Sequence, residues 1–223
     1  MNFFGHAALA ADHLNRENPQ LEAGELGRLC LGAMLPDFVG MLRLGKPHVT
    51  DEALARGVAF HHRTDHAFHD LASFQQLSRQ TFAWLEQRHL PRGPARAVAH
   101  VGIEMLLDEV MARDAAAREA YLLALSVPLG SALRFDAPGD LERLETLRRN
   151  LRERAATQLG PSAELVARRI RHTLDGRPRL ATDDEGERTL REWVTVARPW
   201  VAAEAPRLLA SLRAVLADQA RAE

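Results

Sequence analysis

Cysteine is nearly absent from this chain: Cys30 is alone among 223 residues, which excludes an intramolecular disulfide. It sits in an apolar run and reads as a small core residue rather than a nucleophile. Lysine is equally scarce, since only Lys46 among the 29 basic residues is not arginine; a GC-rich genome explains that skew as readily as function does. Aromatic residues make up 5% of the chain, while Ala, Leu and Arg dominate, a mixture that favours helices over strands. The formal charge is −1, so no general electrostatic reason exists to expect nucleic acid as a partner. No apolar run approaches the ~18–20 residues needed to span a bilayer. The segment Met1-Asn2-Phe3-Phe4-Gly5-His6 lacks the charged start of a signal peptide, so a soluble cytoplasmic protein is expected.

Proline and glycine punctuate helical patterns throughout. Helices are predicted over 3–15, 20–34, about 51–70, 72–89, 94–114, 116–134, 140–158, 162–174 and 187–220. The second is predicted to end at Leu35-Pro36-Asp37, the third to be capped by Thr50, and the last to break at Pro199 or Pro206. No alternating segment of strand length is visible. The expected fold is all-α, one domain over 1–223, with a metal-site half at 1–115 and a helical half at 116–223 packed on it.

What the sequence does hold is a concentration of histidine. Four of its ten histidines, His61, His62, His66 and His69, fall within nine residues, with Asp65 among them. Positions i, i+4 and i+8 share a helix face, so His61, Asp65 and His69 form one stripe and His62 and His66 another. The helix near residue 100 repeats the spacing with His100, Glu104 and Asp108, in the apolar company of Val98, Val101, Ile103, Leu106 and Leu107. Carboxylates in such a setting need a partner, because a bare buried charge is costly. A divalent cation is a natural one, and imidazole with carboxylate suits Zn, Mn or Fe better than Ca or Mg. His6, on an otherwise apolar helix, and Asp37, between Pro36 and Phe38, are further candidates; a structural histidine and a turn residue are the plainer alternatives. The metal set expected from the sequence is therefore His6, Asp37, His61, Asp65, His69, His100, Glu104 and Asp108, enough ligands for one or two ions if the helices converge. Arg63 would hold a phosphoryl oxygen, an ion pair being its alternative role, and His66 or His100 would protonate a leaving group.

The residues also resemble a known family. Met1-Asn2-Phe3-Phe4-Gly5-His6, Gly32-Ala33-Met34-Leu35-Pro36-Asp37-Phe38, Gly57 with His61, Arg63 and Asp65, and Glu104 with Asp108 and Arg113 follow, in order, segments of the acyl carrier protein phosphodiesterases. The resemblance covers about residues 1–115. It implies an HD-domain-like multi-helix bundle with additional C-terminal helices, and metal-dependent cleavage of a phosphodiester on acyl carrier protein, typically with manganese. It also implies metal or catalytic roles for Asp37, His61, Asp65 and Asp108. Glu109 stands where that family carries histidine, and Glu104 where it usually carries aspartate. The pairs His61-x3-Asp65 and His100-x3-Glu104 are similar to the zinc-dependent phospholipase C and nuclease family as well. Both resemblances imply phosphoester hydrolysis; a helical protein that only binds a metal or metabolite is the expectation from another class.

Overall fold

The computed structural model describes residues 1–17, 20–155 and 161–222. Among these the fold is all-α: nine helices and one two-stranded sheet. The helices are α1 (Phe3–Glu17), α2 (Ala23–Leu42), α3 (Glu52–Asp70), α4 (Ala72–Glu86), α5 (Arg92–Met111), α6 (Ala115–Ser126), α7 (Asp140–Glu153), α8 (Ala163–Asp175) and α9 (Asp184–Ala222). No helix among the described residues is long and apolar enough to cross a membrane. The chain divides into two compact units, one of Asn2–Asp65 and Met111–Leu159, the other of Met1, His66–Val110 and Gly160–Glu223. The segments 1–115 and 116–223 each contribute to both.

In the unit built from 2–65 and 111–159, α1 packs on α2 and α6, and α7 closes against α6. Phe4, Leu9, Leu29, Leu31, Met34, Leu35, Phe38 and Leu54 form its core, with the Phe3 and Phe38 rings 5.4 Å apart and Phe4 and Tyr121 5.1 Å apart. α2 does not stop at Pro36, as its sequence suggested; the helix runs on to Leu42 and ends where Arg43 turns left-handed at φ 52°. An interior proline removes one backbone bond and costs about 3 kcal/mol. Leu35 and Phe38, buried on either side of it, each return about 1.5–3 kcal/mol by burial. α3 starts one residue later than expected, and Asp51, not Thr50, caps it by accepting from the Leu54 N–H at 2.9 Å. Thr50 Oγ1 donates instead to the Ser131 carbonyl at 2.8 Å.

α6 ends at Ser126, eight residues short of the expected 134. Val127 precedes Pro128, and the proline ring drives it to extended backbone at ψ 131°. The released chain forms strand β2 (Leu133–Phe135), which pairs antiparallel with β1 (Pro47–Val49) in the register Pro47↔Phe135, His48↔Arg134 and Val49↔Leu133. Asp140, buried at the start of α7, accepts from the Gly45 N–H at 2.8 Å and so ties down the loop between α2 and β1.

In the other unit α9 packs on α4 and α8. It is a single helix of 39 residues, so Pro199 and Pro206 do not break it. Leu190, Val194, Ala197, Val201, Ala205, Leu208, Leu212 and Leu216 form one buried stripe, spaced three and four apart, that continues through both prolines. Burial along that stripe outweighs the two missing backbone bonds. Gly102 of α5 lies against the buried Trp193 ring, where a Cβ would come within 2.5 Å of the ring carbons.

Candidate metal centre

Two glycines set up the first group of candidate ligands. Gly32 of α2 and Gly57 of α3 face each other so closely that a Cβ on Gly57 would lie 2.1 Å from the Leu29 carbonyl oxygen. A Cβ on Gly32 would lie 2.1 Å from that of Leu54. The two backbones therefore meet directly. One turn beyond Gly57 comes His61, whose Nδ1 lies 2.9 Å from the Ala33 carbonyl oxygen. A carbonyl only accepts, so Nδ1 carries the proton and Nε2 the lone pair. Burial, the largest influence, pushes the His61 pKa below its ordinary 6.5, although the Ala33 carbonyl works the other way. The ring is therefore neutral at pH 7, the state a metal requires.

His6 reaches the same place from α1, fully buried, its ring centroid 4.0 Å from that of His61. Its Nδ1 lies 2.9 Å from Thr64 Oγ1. The Thr64 hydroxyl donates back along its own helix, to carbonyl oxygens of Phe60 and His61 at 2.9 Å each. With its one hydrogen engaged there, Oγ1 accepts from His6, which again fixes Nδ1–H and leaves Nε2 with a lone pair. Asp37, carried by α2 beyond Pro36, completes the group. His6, Asp37 and His61 each offer a ligand atom within 4.8 Å of the others. Two imidazoles with fixed tautomers and one carboxylate can hold a divalent ion and leave coordination positions open.

The second group, His69, His100 and Glu104, has the same composition and a different arrangement. The rings of His69 and His100 stack 4.5 Å apart. Their Nε2 atoms lie 3.8 and 3.1 Å from Glu104 Oε1. That oxygen also accepts from the buried Met1 ammonium at 2.9 Å. Here the carboxylate oxygen faces two imidazole Nε2 atoms and an amino group. In the first group the Nδ1 contacts to Thr64 and to the Ala33 carbonyl set which ring nitrogen keeps a lone pair.

The remaining expected residues fall in neither group. Asp65, 41% exposed at its side chain, places Oδ1 3.9 Å from His6 Nε2. Asp108 is buried on α5, and Arg63 is half-buried on α3. His66 is 80% exposed and lies 3.6 Å from Asp70 Oδ2. Glu109, at the position of the family's histidine, is held by Arg198 Nε at 3.1 Å. Thr64 and the Ala33 carbonyl were not among the expected residues. Thr64 carried a faint signal in the sequence, as a hydroxyl inside a helix three residues from a histidine; a backbone carbonyl carries none. No protein-family model matches the chain, and neither a curated protein nor a solved structure matches it significantly.

Proposed function

We propose that this chain is a metal-dependent phosphoester hydrolase whose ion is held by His6, Asp37 and His61. The observation that carries the proposal is the convergence of His6, Asp37 and His61, each offering one ligand atom within 4.8 Å of the others, with both imidazoles oriented by oxygen partners at Nδ1. Two histidines and a carboxylate suit Zn, Mn or Fe. The segments that resemble the acyl carrier protein phosphodiesterases contain all three ligands, and both glycines of the α2–α3 approach. By that resemblance the all-α fold is HD-domain-like, and the substrate is the phosphodiester that joins phosphopantetheine to acyl carrier protein.

When bound, the ion would supply Lewis acidity, polarising a phosphoryl oxygen and lowering the pKa of water at an open position. Asp65, with Oδ1 3.9 Å from His6 Nε2 and partly open to solvent, would take the proton of an attacking water. Arg63, two residues from it on α3, would steady charge on the phosphoryl oxygens. The water oxygen bonds to phosphorus, the ester P–O bond breaks, and the departing alkoxide takes up a proton. His66 faces solvent beside Asp70, so the donor of that proton falls to Asp65 or to water.

The test combines metal content with turnover of bis-p-nitrophenyl phosphate in the presence of Mn²⁺ or Zn²⁺. The proposal expects metal and activity in the parent chain, loss of both in Asp37→Asn and His61→Ala, and retention of metal in Glu104→Gln. Bound metal without turnover would leave a binding protein rather than a hydrolase. Full metal content in Asp37→Asn and His61→Ala would remove the centre itself.

A further inference from the structure

Away from these histidines, the unit built from 2–65 and 111–159 holds a cavity of about 220 Å³ where α6 ends against α7. Its walls are Leu125 to Pro128 on one side and Glu145, Arg148, Arg149 and Arg152 on the other. Those four positions of α7 are spaced i, i+3, i+4 and i+7, which is one helix face. On this measure about 10–15 Å³ seats one water, so the space admits a polyatomic ion.

Arg148 is 2% exposed and is built into the wall. Its Nη2 donates to the carbonyls of Ala124 and Val127, and its Nη1 to Glu145 Oε1 at 2.9 Å. The Ser126 hydroxyl covers the Leu122 carbonyl at 2.8 Å, and the Val127 N–H that of Leu123. In the last turn of α6 the Leu123 and Ala124 carbonyls are thus engaged, and the polar side chains lining the space are three guanidinium groups, one hydroxyl and one carboxylate. Arg148 Nε is buried with no acceptor among the described residues. Arg149 reaches only Thr146 Oγ1, at 3.3 Å, and Arg152 has no hydrogen bond or ion pair among the described residues. Both are exposed. Three guanidinium groups face one carboxylate, an excess of two positive charges. The charge of Arg152 also reaches Arg148, adding in small part to the lowering of its pKa that burial mainly causes.

We infer that this cavity is a binding site for a phosphate-type dianion, held by Arg149 and Arg152 over the buried Arg148. The guanidinium fork matches the oxygens of a phosphoryl group, and two negative charges balance the local excess. The site uses no residue of the metal centre, so it stands or falls apart from the hydrolase reading.

The experiment is calorimetric titration of inorganic phosphate into the full chain, with EDTA present so that no metal competes. A parallel arm measures sedimentation with phosphatidylcholine vesicles, with and without phosphatidic acid. Saturable phosphate binding that weakens about tenfold or more in Arg149→Ala/Arg152→Ala, the loss of at least one charge-assisted hydrogen bond, is the expected result. Binding of phosphatidic acid vesicles with the same dependence assigns the phosphate to a lipid headgroup. Because both side chains are exposed, the double variant should keep the parent's circular dichroism and melting curve. No saturable binding in either arm, equal affinity in the double variant, or acetate bound as tightly as phosphate would overturn the assignment.

Discussion

Replacing Gly57 by alanine tests how the candidate metal centre is built, because the added carbon touches no ligand. Its Cβ would lie 2.1 Å from the Leu29 carbonyl oxygen, 2.8 Å from Ala33 N and 2.8 Å from Gly32 Cα, whereas real Cβ contacts essentially never fall below 3.0 Å. All three neighbours are backbone, so no side chain can swing away. The helices α2 and α3 must part by at least about 0.9 Å, the difference between 3.0 and 2.1 Å. Carried one turn along α3, that separation stretches the His61–Ala33 contact from 2.9 Å to about 3.8 Å, beyond hydrogen-bonding range. Overpacking costs about 1–3 kcal/mol, and an unsatisfied buried imidazole N–H about 1–3 more. Gly57→Ala should therefore lose roughly 2–6 kcal/mol in urea unfolding, a large part of the ~5–15 kcal/mol typical of a domain. Its affinity for Zn²⁺ should fall about 10–100-fold, as when an outer-shell partner is lost. Gly40→Ala is the control, since nothing lies within 4 Å of its added carbon. That variant should be neutral or up to about 1 kcal/mol more stable, as alanine is preferred to glycine in a helix. Unchanged stability and metal affinity in Gly57→Ala would refute the close-approach argument.

Three further outcomes are expected. Thr64→Val deletes the oxygen that accepts from His6 Nδ1, so chelator competition should show Zn²⁺ affinity about 10–100-fold lower, with Thr64→Ser close to the parent; equal affinity in the valine variant would show that Thr64 does not set the tautomer. Arg148→Met leaves the Ala124 and Val127 carbonyls without their guanidinium donor and should cost about 2–5 kcal/mol in urea unfolding, a figure that a near-neutral result would contradict. Because the folded-state pKa of His61 is lowered, the unfolded chain takes up its proton first; the contribution of this residue is fully present above pH 6.5 and is lost as pH falls from there through the folded pKa. Metal-free protein should show a shallower acid decline in His61→Gln than in the parent, and parallel curves would count against the shift.

Much of the fold was legible because apolar spacing and turn residues act locally. The extents of α3, α4 and α8 follow from them to within a few residues. Three of the failures share one cause. Pro36, Pro199 and Pro206 are helix breakers by a local rule, yet each lies in a helix whose buried face continues past it. The pairing of β1 with β2 joins residues more than eighty positions apart through three-residue strands, too short for any periodicity to reveal. Val127 shows the opposite case, where the local rule about the residue before proline, applied at Pro128, would have ended α6 correctly.

The site was legible in its residue types and not in its grouping. His61, Asp65 and His69 share a stripe, but residues eight apart on a helix are about 12 Å apart along its axis, so His61 and His69 cannot ligate a single ion. Spacing on one helix selects residues that face the same way; it does not say which of them a second helix meets. Here the meeting is decided by Gly32 and Gly57, which let α2 bring Asp37 and the Ala33 carbonyl to the side of α3 that carries His61. Nor does residue type separate two groups of identical composition. In both there are two imidazoles and one carboxylate; in the first, His6 and His61 direct Nδ1–H to a hydroxyl and a carbonyl. An imidazole ligates through a lone pair, and which nitrogen keeps one depends on the acceptor opposite the other. Which nitrogens His6 and His61 could offer an ion therefore depends on a threonine hydroxyl and a backbone oxygen, neither of them a ligand residue type.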